Sequence, residues 1–291
     1  TPRRLAVLVR GVPEAQADRE EVSFGPPVAA AFGPDGQPTG AALGFARKMG
    51  VDVSALQRMT SPKGEVVGFV RAIAGRPTLD VLAEVLPTAL AKLTFPKAMR
   101  WCTDTGPFVR PVHWLCCLFG ADVVPFEFTG IPTGRATRGH RFLAPEPVDL
   151  PAPDAYADTL RGRFVLPTPD ERKATVDQAM RAAEERLGCR FLKTDALVAE
   201  VANIVEYPVF EIGHCEEDFL RLPREVLVTA MGAHLRFFAS EQPDGTLAAA
   251  FGVVSNTKAR DMSVVVRGNE RVLAARLYDA RFFWEQDRKS G

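Results

Sequence analysis

The sequence predicts an α+β protein, built from antiparallel β-hairpins and small sheets with packed helices, in two subdomains. Three observations point there. Short apolar runs flank turn sequences: Val112–Phe119 and Val123–Phe128 around Gly120-Ala-Asp, and Arg236–Ser240 and Leu247–Ser255 around Pro-Asp-Gly-Thr. Helical periodicity becomes dominant beyond the proline-rich stretch Leu143–Pro153, which reads as a linker or edge segment and divides 1–148 (mixed α+β, central hairpin) from 149–291 (helix-rich α+β). No regular strand–helix alternation supports a parallel, doubly wound sheet.

The elements follow in order. RRLAVLVR, residues 3 to 10, reads as a strand, and Arg19–Gly40 as a loop holding GPP, GPDG and a helical turn at Pro27–Phe32. Thr39–Met49 is a short helix closed by Gly50, and Val66–Ile73 a strand after a Lys63-Gly64 turn. Thr78 N-caps a helix over Leu79–Leu93, which Pro87 should kink or split. The central hairpin, apolar on both faces, should be covered. Asp170 caps a long amphipathic helix to Leu187, stopped by Gly188, and a second runs over Lys193–Glu206. A strand at Val209–Ile212, a helix from Pro223 through Ala233, the second hairpin and a final helix over Asn269–Asp287 complete the chain.

Composition narrows the function. The 291 residues carry 36 Lys plus Arg against 36 Asp plus Glu, so no global field draws the chain to nucleic acid or anionic lipid, and such contact must come from a patch. No apolar run approaches the roughly 20 residues of a bilayer span, and no membrane partner is expected. The chain opens on TPRRLAVLVR, without initiator Met or signal peptide, and so reads as an excised piece of a longer chain. Five irregularly spaced cysteines (Cys102, Cys116, Cys117, Cys189, Cys215) without a CxxC suit a reducing, cytoplasmic location. No metal site is expected, because no ligand pairs fall at helical or knuckle spacing. Phosphate-loop, GxGxxG, GxSxG and HExxH motifs are absent from the sequence. The adjacent His214 and Cys215 lack an assignable third member, so no catalytic residue is assigned.

One local concentration stands out. RWCTDTGPFVRPVHW and GRATRGHRF place Arg100, Arg110, His113, Arg135, Arg138, His140 and Arg141 among Trp101, Phe108, Trp114 and Phe142. Guanidinium groups grip phosphates, and aromatic rings stack on unpaired bases. The alternative assigns the aromatics to the core and the arginines to solvent or ion pairs. No Asp or Glu lies between Gly130 and Ala144, and Pro132, Gly134 and Gly139 argue for a solvent-facing cationic loop over Arg135–Arg141. The candidates for contact with RNA or another subunit are Lys97, Arg100, Trp101, Arg110, Arg135, Arg138, His140 and Arg141.

Seven ordered blocks are more specific than any of these motifs. KAMRW, FVRPVHW, RGHRF, EVANIVEYPV, FLRLPREVLVTAM, FGVVSN and GNERVLAARLYDARFFWEQDRK resemble, in order and spacing, the β subunit of bacterial-type glycyl-tRNA synthetase. The resemblance covers essentially all 291 residues. It implies an N-terminal-half fragment, lacking the extreme N-terminus, an HD-type helical domain and an anticodon-binding region. It implies an α2β2 ligase that joins glycine to its tRNA, with catalysis and the use of ATP and magnesium in the α subunit. Its partners would be that α subunit and the tRNA for glycine, with no cofactor in this segment. The segment is also similar to accessory modules of other synthetases, including the editing-type module of the phenylalanine enzyme. A hydrolytic editing domain and a purely structural scaffold for the α subunit are the competing readings.

Overall fold

A computed structural model describes residues 1–62, 64–101 and 107–290. Cys102 and Lys63 lie outside them. The contacts group the chain into two compact units: Val9–Pro111 with Val124–Gly130, and Thr1–Leu8 with Val112–Val123 and Ile131–Gly291. A cut at 148/149 would instead fall inside a paired strand.

The smaller unit begins with β1 (Arg19–Pro27), α1 (Val28–Ala31), α2 (Gly40–Met49), β2 (Gln57–Ser61), β3 (Gly64–Ile73) and α3 (Thr78–Ala91). Its sheet has the order β1-β3-β2, antiparallel throughout, with Val22 opposite Val70 and Met59 opposite Val66. β1 corrects the loop expected from Arg19. Pairing along β3 outweighs the poor strand propensity of its Glu, Gly and Pro residues, and the prolines fall at its C-terminal end. The expected helical turn is α1. In α2 the Thr39 hydroxyl accepts the Ala41 N–H (3.2 Å), and Gly50 ends the helix at φ 71°. Ala31, Ala42 and Val67 form a small core. α3 shows neither a split at Pro87 nor a cap from Thr78. Pro87 sits inside it, and Thr78 donates its hydroxyl to the Pro13 carbonyl (2.6 Å).

Five short strands follow: β4 (Leu115–Cys116), β5 (Leu118–Phe119), β6 (Asp122–Val123), β7 (Glu127–Phe128) and β8 (Ile131–Gly134). Of these, β7 belongs to the smaller unit. The expected central hairpin survives only at its tip, where β5 pairs with β6. β4 runs parallel to β8, with Cys116 opposite Gly134. The apolar runs on either side of the turn carry the same propensity in any register, so pattern alone could not choose the partner. The segment 3–10 forms no strand. Leu5, Val7 and Leu8 are exposed there.

The larger unit continues with β9 (Ala136–Arg138), β10 (Pro147–Asp149), α4 (Tyr156–Arg161), α5 (Pro169–Leu187), β11 (Arg190–Phe191), α6 (Asp195–Ile204), β12 (Val209–His214), α7 (Arg224–Thr229), β13 (Phe238–Glu241), β14 (Leu247–Ser255) and α8 (Met262–Ser290). Its central sheet, in the order β11-β13-β14-β12, is antiparallel and contains the expected second hairpin. Alternate residues point to opposite faces. Phe238 packs with Val176, Met180 and Ala183 of α5 and with Val198 and Val201 of α6. Phe237, Ala239 and Phe251 pack on the other face with Leu227, Met231, and Leu273 and Leu277 of α8. The i, i+4 spacing of Leu273 and Leu277 is the apolar stripe that seats α8. Thr168, not Asp170, caps α5, through a reciprocal box with Glu171. α7 passes into a π-helical turn over Ala230–Leu235. Among the described residues no helix is long and apolar enough to cross a membrane.

Candidate nucleic-acid interface

The basic residues of the RGHRF block are organised by a buried polar network in the larger unit. Glu206, just beyond the C-terminus of α6, is fully buried. Its carboxylate accepts from Arg4 Nε (2.8 Å), Arg4 Nη2 (3.3 Å) and the Thr1 hydroxyl (2.7 Å). The Arg4 guanidinium lies 5.6 Å from the Trp114 ring centroid. It also donates to the main-chain carbonyls of Arg138 (2.7 Å) and Gly139 (3.4 Å). One arginine thus neutralises the buried charge and fixes the backbone that carries the next.

Asn256, just beyond the end of β14, ties the other side. Its Oδ1 accepts the N–H groups of Glu206 (2.8 Å) and Tyr207 (3.1 Å), and its own carbonyl meets His140 Nε2 at 2.9 Å. His140 Nδ1 accepts from the Phe142 and Leu143 N–H groups, both at 3.3 Å. With Nδ1 an acceptor, the network assigns the proton to Nε2. Arg172, 1% exposed, donates to the carbonyls of Ala202 (2.6 Å) and Leu166 (2.7 Å). Burial pulls its guanidinium below the ordinary value, while the carboxylates of Glu206 and Glu171 pull it back.

The expected loop over Arg135–Arg141 is therefore mostly ordered structure. Residues 136–138 form β9, paired with β10, so the proline-rich segment supplies a strand. Arg135 is half-buried and donates to the carbonyls of Leu150 (3.2 Å) and Ala121 (2.9 Å). His140 is fully buried, a structural group rather than a surface one. Gly139 is required by close approach. A Cβ there would stand 2.7 Å from the Ala144 carbonyl oxygen and 2.9 Å from that of Arg163.

Arg138 and Arg141 remain exposed, with no carboxylate within ion-pair distance among the described residues. Arg3 joins them. Its guanidinium is held below the ordinary value first by burial and then by the like charges of Arg141, Arg4 and Arg138, against the pull of Glu206. The Arg3–Glu206 separation is 4.0 Å, so that carboxylate is shared with the closer Arg4. Arg3 and Arg4 thus share one buried acid, and the charges of Arg138 and Arg141 lie near enough to act on Arg3. Phe142 stands beside them, 72% exposed, with the Arg141 guanidinium 5.8 Å from its ring centroid.

Lys97, Arg100, Trp101 and Arg110 belong to the smaller unit. The first two and Arg110 are exposed, and Trp101 is half-buried. They flank a bridge in which Met99 and Phe108 exchange main-chain hydrogen bonds (2.8 and 3.1 Å). Sequence reasoning missed Arg3, Arg4, Glu206 and Asn256. Arg3 and Arg4 open an apolar run that reads as a strand, and Glu206 and Asn256 end regular elements. Nothing in the blocks EVANIVEYPV and FGVVSN singles them out, since the first also carries Glu200 and Asn203. Among the described residues no group of three or more His, Cys, Asp or Glu side chains is placed to hold a metal ion.

The candidate site of the larger α+β unit is thus Arg3, Arg138 and Arg141 beside the exposed ring of Phe142. The family model described as glycyl-tRNA synthetase beta subunit matches residues 1–291, and the chain belongs to that family. It is 46% identical over 289 residues to the glycine–tRNA ligase beta subunit of Geobacter sulfurreducens, covering 99% of this chain and 42% of that protein. It is 45% identical to that of Trichlorobacter lovleyi and 43% identical to that of Syntrophotalea carbinolica, with the same coverage. The chain thus spans about 42% of the length of these relatives.

Proposed function

We propose that this chain is the part of a glycine–tRNA ligase β subunit that contributes tRNA binding and assembly with the α subunit. In this reading the ligase is cytoplasmic. ATP and magnesium are used in the α subunit, and the chain itself contributes no catalytic residue. The observation that carries the reading is the arrangement of Arg3, Arg138 and Arg141. The charges of Arg138 and Arg141 act on Arg3, and Arg138 and Arg141 meet no carboxylate among the described residues. Exposed arginines without a local carboxylate suit a polyanion, and the guanidinium fork matches the oxygens of a phosphate.

The test uses the full-length β subunit assembled with its α subunit. Arg138→Ala with Arg141→Ala should weaken tRNA binding and make the plot of log affinity against log salt shallower by about 1 to 2, the loss of one or two phosphate contacts. Both side chains are exposed, so thermal stability should be unchanged. An unaltered affinity and salt slope in the double variant would remove the RNA reading of this patch.

A further inference from the structure

Phe142 is a large apolar side chain presented to solvent on a fixed turn. Four hydrogen bonds hold that turn: His140 N–H to the Arg163 carbonyl (2.9 Å), Ala144 N–H to the His140 carbonyl (2.9 Å), and the Phe142 and Leu143 N–H groups to His140 Nδ1 (both 3.3 Å). The His140 ring is anchored in turn to Asn256. The backbone is therefore set before any ligand arrives, and binding need not pay to order it. The ring has a tilted neighbour in His140, with centroids 6.3 Å apart, and a cation in Arg141. It is still 72% exposed, so most of its surface remains open to a partner.

We propose that Phe142 is a stacking platform for an unpaired nucleotide base, with Arg3, Arg138 and Arg141 holding the adjacent phosphates. The ligand of this patch is then a single-stranded loop or end of RNA, not a helix. The proposal rests on the RNA reading above and deepens it. Inside a duplex each base is already stacked above and below, and its face is out of reach of a protein ring. An unpaired base offers that face freely, and every base has one. An acidic peptide would satisfy the arginines but gives no use to a planar aromatic surface.

The assembled enzyme is tested with two probes: a roughly 12-nucleotide single-stranded RNA carrying 2-aminopurine, and the RNA duplex of the same sequence. Phe142→Ala should weaken binding of the single strand about 5- to 150-fold, the range of one lost base–aromatic stack. It should leave the salt slope and duplex binding unchanged. Quenching of 2-aminopurine on binding should be lost in Phe142→Ala and kept in Phe142→Trp. Wild-type affinity in Phe142→Ala, or equal losses for single strand and duplex, would overturn the stack. So would impaired assembly with the α subunit while RNA binding stays intact, which would make Phe142 a protein contact. The two readings fail separately. If the Arg138/Arg141 double variant is normal, the RNA reading goes and the stack with it; if only Phe142→Ala is normal, the stack alone goes.

Discussion

Arg4 and Glu206 form the ion pair on which the arginine patch is built. Arg4 keeps 5% of its side chain exposed and Glu206 none. Removing one partner of such a pair leaves an uncompensated buried charge, so Arg4→Met should destabilise the larger unit by about 3–5 kcal/mol. Chemical denaturation would measure it. Adding Glu206→Gln to Arg4→Met should recover part of the loss, because the orphaned charge is then gone. The thiols of Cys116 and Cys117 belong to the same scale. Burial pushes both above the ordinary value, and at Cys116 the charge of Arg135 opposes it. Thiolate is the reactive form. Both should therefore label slowly with a thiol reagent at neutral pH in the native state and rapidly after denaturation.

The turn after β9 and the long helix α5 carry predictions of their own. Gly139→Ala drives a Cβ against two carbonyl oxygens, and neither is the end of a flexible side chain. It should destabilise by about 1–3 kcal/mol, the usual cost of overpacking, and weaken tRNA binding although no charge is lost. Thr168→Ala should cost about 1 kcal/mol by opening the capping box, with no effect on RNA. These two elements also show what the sequence could and could not disclose. The helices α2, α5, α6 and α8 were legible because their periodicity is local, although the cap of α5 was placed two residues late. The second hairpin was legible because its turn is local too. β1, the parallel β4–β8 pair and the β9–β10 ladder were not. Each depends on a partner strand chosen by tertiary packing, and the same residues read as loop, hairpin and linker when taken alone. The site divides the same way. Arg138 and Arg141 were found because they cluster in sequence, whereas Glu206 lies 202 residues from the arginine it binds.

At the scale of the whole chain, this segment without an α subunit should show no glycine-dependent ATP–pyrophosphate exchange. In the proposed function the site of that chemistry lies in the α subunit, and this sequence carries no phosphate-loop motif. A measurable exchange rate in a preparation free of α subunit would contradict this.

The larger unit is assembled from three separated stretches, and the smaller one is spelled out between the first and the last. That order has a consequence during synthesis. At a ribosomal pace of roughly 5–20 residues per second, the 202 residues from Arg4 to Glu206 take about 10–40 s to appear. Through that interval Arg4 waits without its carboxylate partner, while most of the smaller unit has already been made. A nascent chain stalled before residue 206 should therefore leave Arg4 open to cleavage by trypsin. One stalled well past residue 256, after β14 and its asparagine have emerged, should protect it.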